Sequence, residues 1–399
     1  MTSFKFKLLA LLLVILLGVA LSKQQELTQL YHSTQLFKPD VIVHNFSNIS
    51  AIIPTTKINK SGPVAKFGNS PQALPTEFDY FGSMVNTQQW LEQSNTTSLV
   101  VVKDNDITFE QYFQNTTEFD QRISWSMAKS FLSALVGIAV EEGDIPDLNA
   151  LVIDYVPELL GTGYENATIK NVLEMSSGVY FDEDYADFFS DINRFGRVLA
   201  LGGSFDEFAA SLTSEIEPGK RMHYVSIDTH VIGMVLRAAT GKEIVDYFDS
   251  KLWSKLGAEQ DAAYIVDSEN QPMVLGGLNL ISRDYARFGV MYRDFGFYNG
   301  QQIIPKQWTI TSTRANEEYL QPRKVGEQIH FGYGFQWWIP YNADQEFFAI
   351  GIYGQFIYIN RKLGVVIVKH SGDTKFLDNN KESRVKAIEA FRAIAKSVN

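Results

Sequence analysis

Strand-like sequence lies near both ends of this chain and helix-like sequence fills the middle, an order that few layered folds satisfy. Residues 98–113 (SLVVVKDNDITFEQYF) are two apolar runs around an Asn-Asp turn, the pattern of a hairpin. Strand character returns at 333–339 and continues through 347–352, 355–359 and 365–369. The last two runs flank Asn360-Arg361-Lys362, a tight reversal. Between these ends, residues 126–142 are apolar and free of proline, which predicts a buried helix stopped by Glu142-Gly143-Asp144. From about 145 to 310 helical periodicity is broken by Gly and Pro, and 382–398 reads as an amphipathic terminal helix. The economical fold class is α/β (α+β). One antiparallel sheet is built from both chain ends and flanked by helices, with an inserted helical lobe. No fixed-period repeat is present.

The first residues read as an address. Residues 1–22 carry Lys5 and Lys7, then an apolar run, and end on Ala20-Leu21-Ser22. Fifteen uncharged residues between Lys7 and Lys23 make a helix of roughly 22 Å, short of the ~30 Å hydrocarbon core. The segment is expected to be a secretory signal, with an uncleaved membrane anchor as the alternative. Export, periplasmic or secreted, follows, and membrane contact only through that segment. Residues 23–75 are polar and turn-rich and predict an extended arm. Residues 76–399 are expected to form a single domain.

At 45% hydrophobic and 20% charged, the chain can bury a large core. Its net charge of −11 leaves no electrostatic footprint for nucleic acid. With no cysteine, disulfide scaffolds, thiol nucleophiles and thiolate metal sites are excluded. No GxSxG elbow, HExxH, GxGxxG or P-loop occurs. The acidic run Asp182-Glu183-Asp184 with Asp187 and Asp191 lacks the glycine turn and spacing of a calcium loop, so it reads as a solvated face and no metal is expected.

What remains is serine followed three residues later by lysine, at Ser126/Lys129 and Ser383/Lys386. On a helix this spacing stacks the two side chains on one face. A serine hydroxyl needs a base, and a lysine serves if desolvation lowers its pKa. Ser383 and Lys386 lie among Lys381, Glu382, Arg384 and Glu389, where water keeps lysine protonated. Ser126 and Lys129 open an apolar helix. The pair alone leaves two readings there: a general base, or a snorkelling lysine beside a capping serine. Downstream, Pro218-Gly219 precedes Tyr224-Val225-Ser226 at the start of another apolar helix. A cationic lysine nearby would favour the Tyr224 phenolate and give a proton shuttle. In Ala349-Ile350-Gly351-Ile352-Tyr353-Gly354-Gln355 the glycines permit close backbone approach. An amide there, together with that of Ser126, would form an oxyanion hole.

Ser126-Met127-Ala128-Lys129-Ser130, Tyr224-Val225-Ser226 and Met175-Ser176-Ser177-Gly178 together resemble the serine beta-lactamase-related superfamily, in particular its class C beta-lactamase-like esterases and 6-aminohexanoate-dimer hydrolases. Gly276-Gly277-Leu278, residues 282–289 (SRDYARFG) and 333–338 (YGFQWW) match in the same order, so that the resemblance covers roughly 75–399. It implies a sheet lobe and a helical lobe with the site between them. It also implies Ser126 as nucleophile, Lys129 as base, Tyr224 as second acid/base, and no cofactor. The oxyanion amides would be those of Ser126 and Ile352. Two departures bear on substrate. Ser226 stands where the family often has Asn, and Ala349-Ile350-Gly351 stands where true beta-lactamases have Lys-Thr-Gly. The resemblance therefore implies an acyl-enzyme hydrolase of small-molecule esters or linear amides, weak toward beta-lactams. Ser226, Gly351, Asp182 and Tyr353 would line the substrate, Asp182 holding a cationic amine end. The alternative is a non-catalytic penicillin-binding-like module recognising cell-wall peptide.

Overall fold

The computed structural model describes residues 5–6, 31, 35–376 and 380–398. Among them the main sheet has eight strands, numbered here in chain order: β1 (Gly68–Asn69), β2 (Thr96–Lys103), β3 (Asp106–Tyr112), β4 (Gly332–Tyr333), β5 (Trp338–Ile339), β6 (Glu346–Gly351), β7 (Gln355–Asn360) and β8 (Val365–Ser371). Their spatial order is β4-β5-β6-β7-β8-β2-β3-β1. The last strand pairs antiparallel with the first long one, Val366 opposite Val102 and Val368 opposite Val100. The two ends of the chain thus share one sheet. Only the short β1 runs parallel to its neighbour.

Five helices matter for the site: α1 (Ile42–Ser47), α2 (Ala128–Glu142), α3 (Ser226–Thr240), α4 (Ser282–Arg293) and α5 (Asn380–Ser397). The central strands are apolar at nearly every position because both faces of the sheet are covered. Val100, Val102, Ile357, Val366 and Val368 face α2, α4 and the helical lobe. Leu99, Val101, Phe356, Tyr358 and Ile367 face α5 and Trp90. Residues on alternate faces follow from the strand's period of two. Helix α2 is buried from Ala128 to Ala139, ends at the left-handed Gly143, and stacks Phe131 on Phe288 of α4 at 3.6 Å.

Two regions differ from the sequence expectation. Residues 333–339 are not one strand: β4 and β5 fold back on each other around Gln336, which has φ +64°. Buried Gln336 explains the turn. Its side chain binds Thr229 and the Leu173 carbonyl, and its own carbonyl accepts from Ser130, tying α2 and α3 to the sheet. The stretch from 145 to 310 also contains strands. Ala262–Ile265 and Leu278–Leu280 join Thr55–Ile58 and Arg122–Ile123 in a second, four-stranded sheet. These runs are short and buried, so no alternation marks them.

The address at 1–22 lies outside the described residues except at Lys5 and Phe6. Among the described residues no helix is long and apolar enough to cross a membrane. The arm from residue 35 onward runs over the body: α1 lies against the strand Arg122–Ile123, and β1 extends the main sheet.

Candidate active site

Ser126 sits in a 3₁₀ turn, Trp125–Met127, that leads directly into α2. Trp125 holds φ +42°, a left-handed backbone that a bulky residue rarely adopts and that recurs at functional sites. The turn swings Ser126 to the edge of the helix while the next turn of α2 brings Lys129 beside it. Lys129 is 1% exposed. Its Nζ donates to the Leu275 carbonyl at 2.7 Å and to Ser126 Oγ at 3.3 Å. Burial lowers the Lys129 pKa to about 7, against the opposing fields of Glu183 and Asp228. A lysine so placed carries a substantial neutral fraction near neutrality, with the serine hydroxyl 3.3 Å away.

Tyr224 precedes α3, and the Ser126 and Ser226 side chains act on its phenol. Its ring lies 5.5 Å from Lys129 Nζ and stacks on Trp338 at 5.4 Å, with Tyr333 edge-on. The expected phenolate is not what this setting favours. Burial, with the Glu183 charge, pushes the Tyr224 pKa up. The physical reason is that Lys129 is itself discharged by burial and supplies little positive field. Tyr224 is therefore a phenol, held beside Lys129.

Ser226 is the first residue of α3, but its hydroxyl donates to Glu183 at 2.6 Å and its amide to the same carboxylate at 3.1 Å. Tyr185 donates to Glu183 as well, at 2.8 Å. Glu183, not Asp182, is thus the acid that faces Lys129 and Tyr224. Asp182 instead folds the loop, its amide donating to Asp191 and its carboxylate accepting from Asp184. The sequence reading singled out the neighbour of the residue that reaches the site. Nothing in the acidic run distinguishes the two without the loop's geometry. Among the described residues no group of three or more acidic or histidine side chains could hold a metal.

The other wall is the turn from β6 to β7. A Cβ added to Gly351 would lie 2.9 Å from Trp125 Cβ and still closer to the Ser124 carbonyl, so only glycine lets the strand edge touch the nucleophile turn. The amides of Ser126 and Ile352 follow from either side of this contact, and neither has a backbone acceptor among the described residues. Tyr353, with φ +61°, turns its ring away from the rim into a cluster with Phe37, Phe46 and Trp125. Ile350 has its side chain in the core on the α5 face of the sheet.

A cation that the sequence reading left on a wet helix enters here instead. Arg384 of α5 lies 5.9 Å over Trp338 and 5.5 Å over Phe376. It feels the fields of Tyr224, Tyr185 and Glu183. Its Nε has no hydrogen-bond partner, and no ion pair to it occurs among the described residues. Its helical neighbour Lys386 points elsewhere, pairing with Glu382. Beneath the site Asp228 is fully buried, accepts from Tyr164 at 2.8 Å, and has its carboxyl pKa raised by burial.

Comparison with known proteins identifies the family and fold. The profile of a family described as Beta-lactamase matches residues 87–390. The 6-aminohexanoate-dimer hydrolase of Paenarthrobacter ureafaciens is 26% identical over 336 residues, covering 82% of this chain and 84% of that protein. Among solved structures, a Bacillus anthracis protein, provisionally assigned as a 6-aminohexanoate-dimer hydrolase, superposes with a TM-score of 0.79. It is 25% identical and covers 90% of this chain and 95% of its own. A family VIII carboxylesterase shares the fold with a TM-score of 0.56, at 16% identity over 78% of this chain and 96% of its own.

Proposed function

Because this chain belongs to the beta-lactamase family of hydrolases, we propose that it acts through an acyl-enzyme on Ser126 and cleaves carboxylic esters or linear amides. The observation that carries the reading is the buried Lys129 amine, 3.3 Å from Ser126 Oγ and brought to a pKa of about 7 by its surroundings. Neutral Lys129 takes the hydroxyl proton as Ser126 Oγ bonds to the substrate carbonyl carbon. The amides of Ser126 and Ile352 hold the resulting oxyanion. Tyr224 gives its proton to the leaving oxygen or nitrogen as that bond breaks, and regains one from the Lys129 ammonium. Water then attacks the acyl carbon as Lys129 accepts its proton, and Lys129 returns that proton to Ser126 Oγ as the acyl–oxygen bond breaks, releasing the acid and the free hydroxyl. A phenol whose pKa is pushed up suits this relay, since the phenolate is short-lived and reprotonates at once.

The same family includes a relative named for a dimer of 6-aminohexanoate, a linear amide between apolar chains. Such a molecule has a carboxylate at one end and an ammonium at the other. Arg384 offers the first a guanidinium with no ion pair among the described residues, and the exposed Asp184 and Asp187 of the acidic loop suit the second. A fluorophosphonate probe should label the wild-type protein and leave Ser126→Ala unlabelled. Labelling that survives this substitution removes Ser126 from the mechanism. The competing reading, a binding module without turnover, rests on the departures at Ser226 and Ile350. Steady release of p-nitrophenol from the butyrate ester, lost in Lys129→Ala, would eliminate it.

A further inference from the structure

Two bulky residues hold left-handed backbones at this site, Trp125 at φ +42° and Tyr353 at φ +61°. Each adjoins one of the two amides assigned above to the oxyanion: Trp125 precedes Ser126, and Tyr353 follows Ile352. Such conformations persist only where the surroundings over-determine them. Here the surroundings are supplied by the arm. Phe37 stacks on Tyr353 at 5.2 Å and 17°, and lies against Trp125 at 5.5 Å. Phe46 of α1 meets the same two rings edge-on, each at 5.4 Å, and meets Phe37 at 6.2 Å. Four rings, two from the arm and one from each oxyanion segment, form one closed cluster.

The arm is itself fixed to this place. Asn45 donates to the carbonyls of Gln35 and Leu36, which sets the chain at Phe37. Ser47 accepts from Arg122, on the strand that runs into the nucleophile turn. The strands flanking the β6–β7 turn pack directly on the Trp125 turn, most tightly at Gly351, a position with no side chain to grip. The rings add a second connection between the two segments.

We propose that Phe37 and Phe46 are positioning residues that hold the two oxyanion amides in register, making the N-terminal arm a working part of the active site. The proposal rests on the Ser126 acyl-enzyme reading. Phe46 is buried and truncating it endangers the fold, whereas Phe37 is 39% exposed and can be removed alone. An arm that merely stabilises the body would lower the melting temperature and leave kcat in place. An arm that touches substrate would change KM.

The test uses the full chain, with p-nitrophenyl butyrate for turnover and butylboronic acid as a tetrahedral probe of the oxyanion hole. In Phe37→Ala, kcat is expected to fall about ten- to a hundredfold, less than the ~10²–10³ lost with a whole oxyanion donor. KM should stay within about twofold, and the boronate should weaken in parallel with kcat. Phe37→Tyr should restore all three. Phe37→Leu, which keeps an apolar side chain without the stack, should fall between and replaces the alanine variant should that melt early. A rise in KM at constant kcat, or unchanged kinetics in both variants, overturns the proposal. Failure of the underlying reading looks different: fluorophosphonate labelling would then survive Ser126→Ala in an unaltered arm.

Discussion

Lys129→Met should yield a protein that is inactive and, at neutral pH, more stable than wild type. The lysine's pKa falls from 10.5 to about 7 because burial penalises its charge. At 1.36 kcal/mol per pH unit, a fold that does this gives up about 5 kcal/mol relative to an unfolded chain whose lysine is solvated and charged. Methionine removes that cost. It also leaves the Leu275 carbonyl without the 2.7 Å bond from Nζ, a loss of about 1–3 kcal/mol. The net gain near pH 7 is then about 2–4 kcal/mol. Between pH 7 and 10.5 the unfolded chain keeps a proton that the folded one has released, so wild-type stability rises with pH relative to the variant. By pH 10.5 the penalty is gone and the variant should be the less stable by about 1–3 kcal/mol. Other groups titrate alike in both proteins and cancel in the difference. Urea unfolding of the pair from pH 6 to 10.5 reads it directly. A difference independent of pH would show that Lys129 is not discharged by the fold, and the base assignment would lose its physical ground.

Activity should show the same group as an acid limb in kcat/KM centred near pH 7, where Lys129 gains its proton. Glu183 raises the Lys129 pKa, so Glu183→Gln should move that limb to lower pH; movement upward, or none, refutes the coupling. Tyr224→Phe removes the leaving-group donor. It should slow anilide and amide cleavage about 10²–10⁴-fold and p-nitrophenyl esters far less, since p-nitrophenolate departs without a proton; equal losses on both would argue against the relay. Arg384→Ala should cost substrates bearing a carboxylate about tenfold or more in kcat/KM, from a charge-assisted bond of ~1.5–3 kcal/mol. The neutral butyrate ester should be unaffected, and a uniform loss on both would mean that the guanidinium is structural.

The parts of the fold that were legible in the sequence are those where a period is long and uniform. The hairpin of β2 and β3, the last three strands and helices α2 and α5 all show it. The hidden parts lack a period. Ala262–Ile265 and Leu278–Leu280 are buried throughout, so a short strand there reads like any apolar run. At the site, Ser126, Lys129 and Tyr224, which the sequence singles out by helical spacing and by resemblance, lie together in the structure. Glu183 and Arg384 were not legible. Each lies within a run of charges whose members are distinguished only by which way the loop or helix faces. Asp182 against Glu183 differs by one position, Arg384 against Lys386 by two, and those steps decide whether a charge meets the cleft or water.

Burial, more than ion pairing, sets the protonation states on which this site runs. Lys129 is opposed by Glu183 and Asp228 at a distance, yet desolvation outweighs both and leaves the amine near neutral pH rather than charged. Desolvation likewise keeps Tyr224 a phenol, although bonds to Ser126 and Ser226 and the charge of Arg384 pull the other way. The Glu183 carboxylate is spent on Ser226 and Tyr185, not on a cation. Had Glu183 made a direct ion pair with Lys129, the lysine would have stayed protonated and could not have accepted the serine proton. The hydroxyl and amide of Ser226 thus occupy a carboxylate that would otherwise be free to hold Lys129 in its charged form.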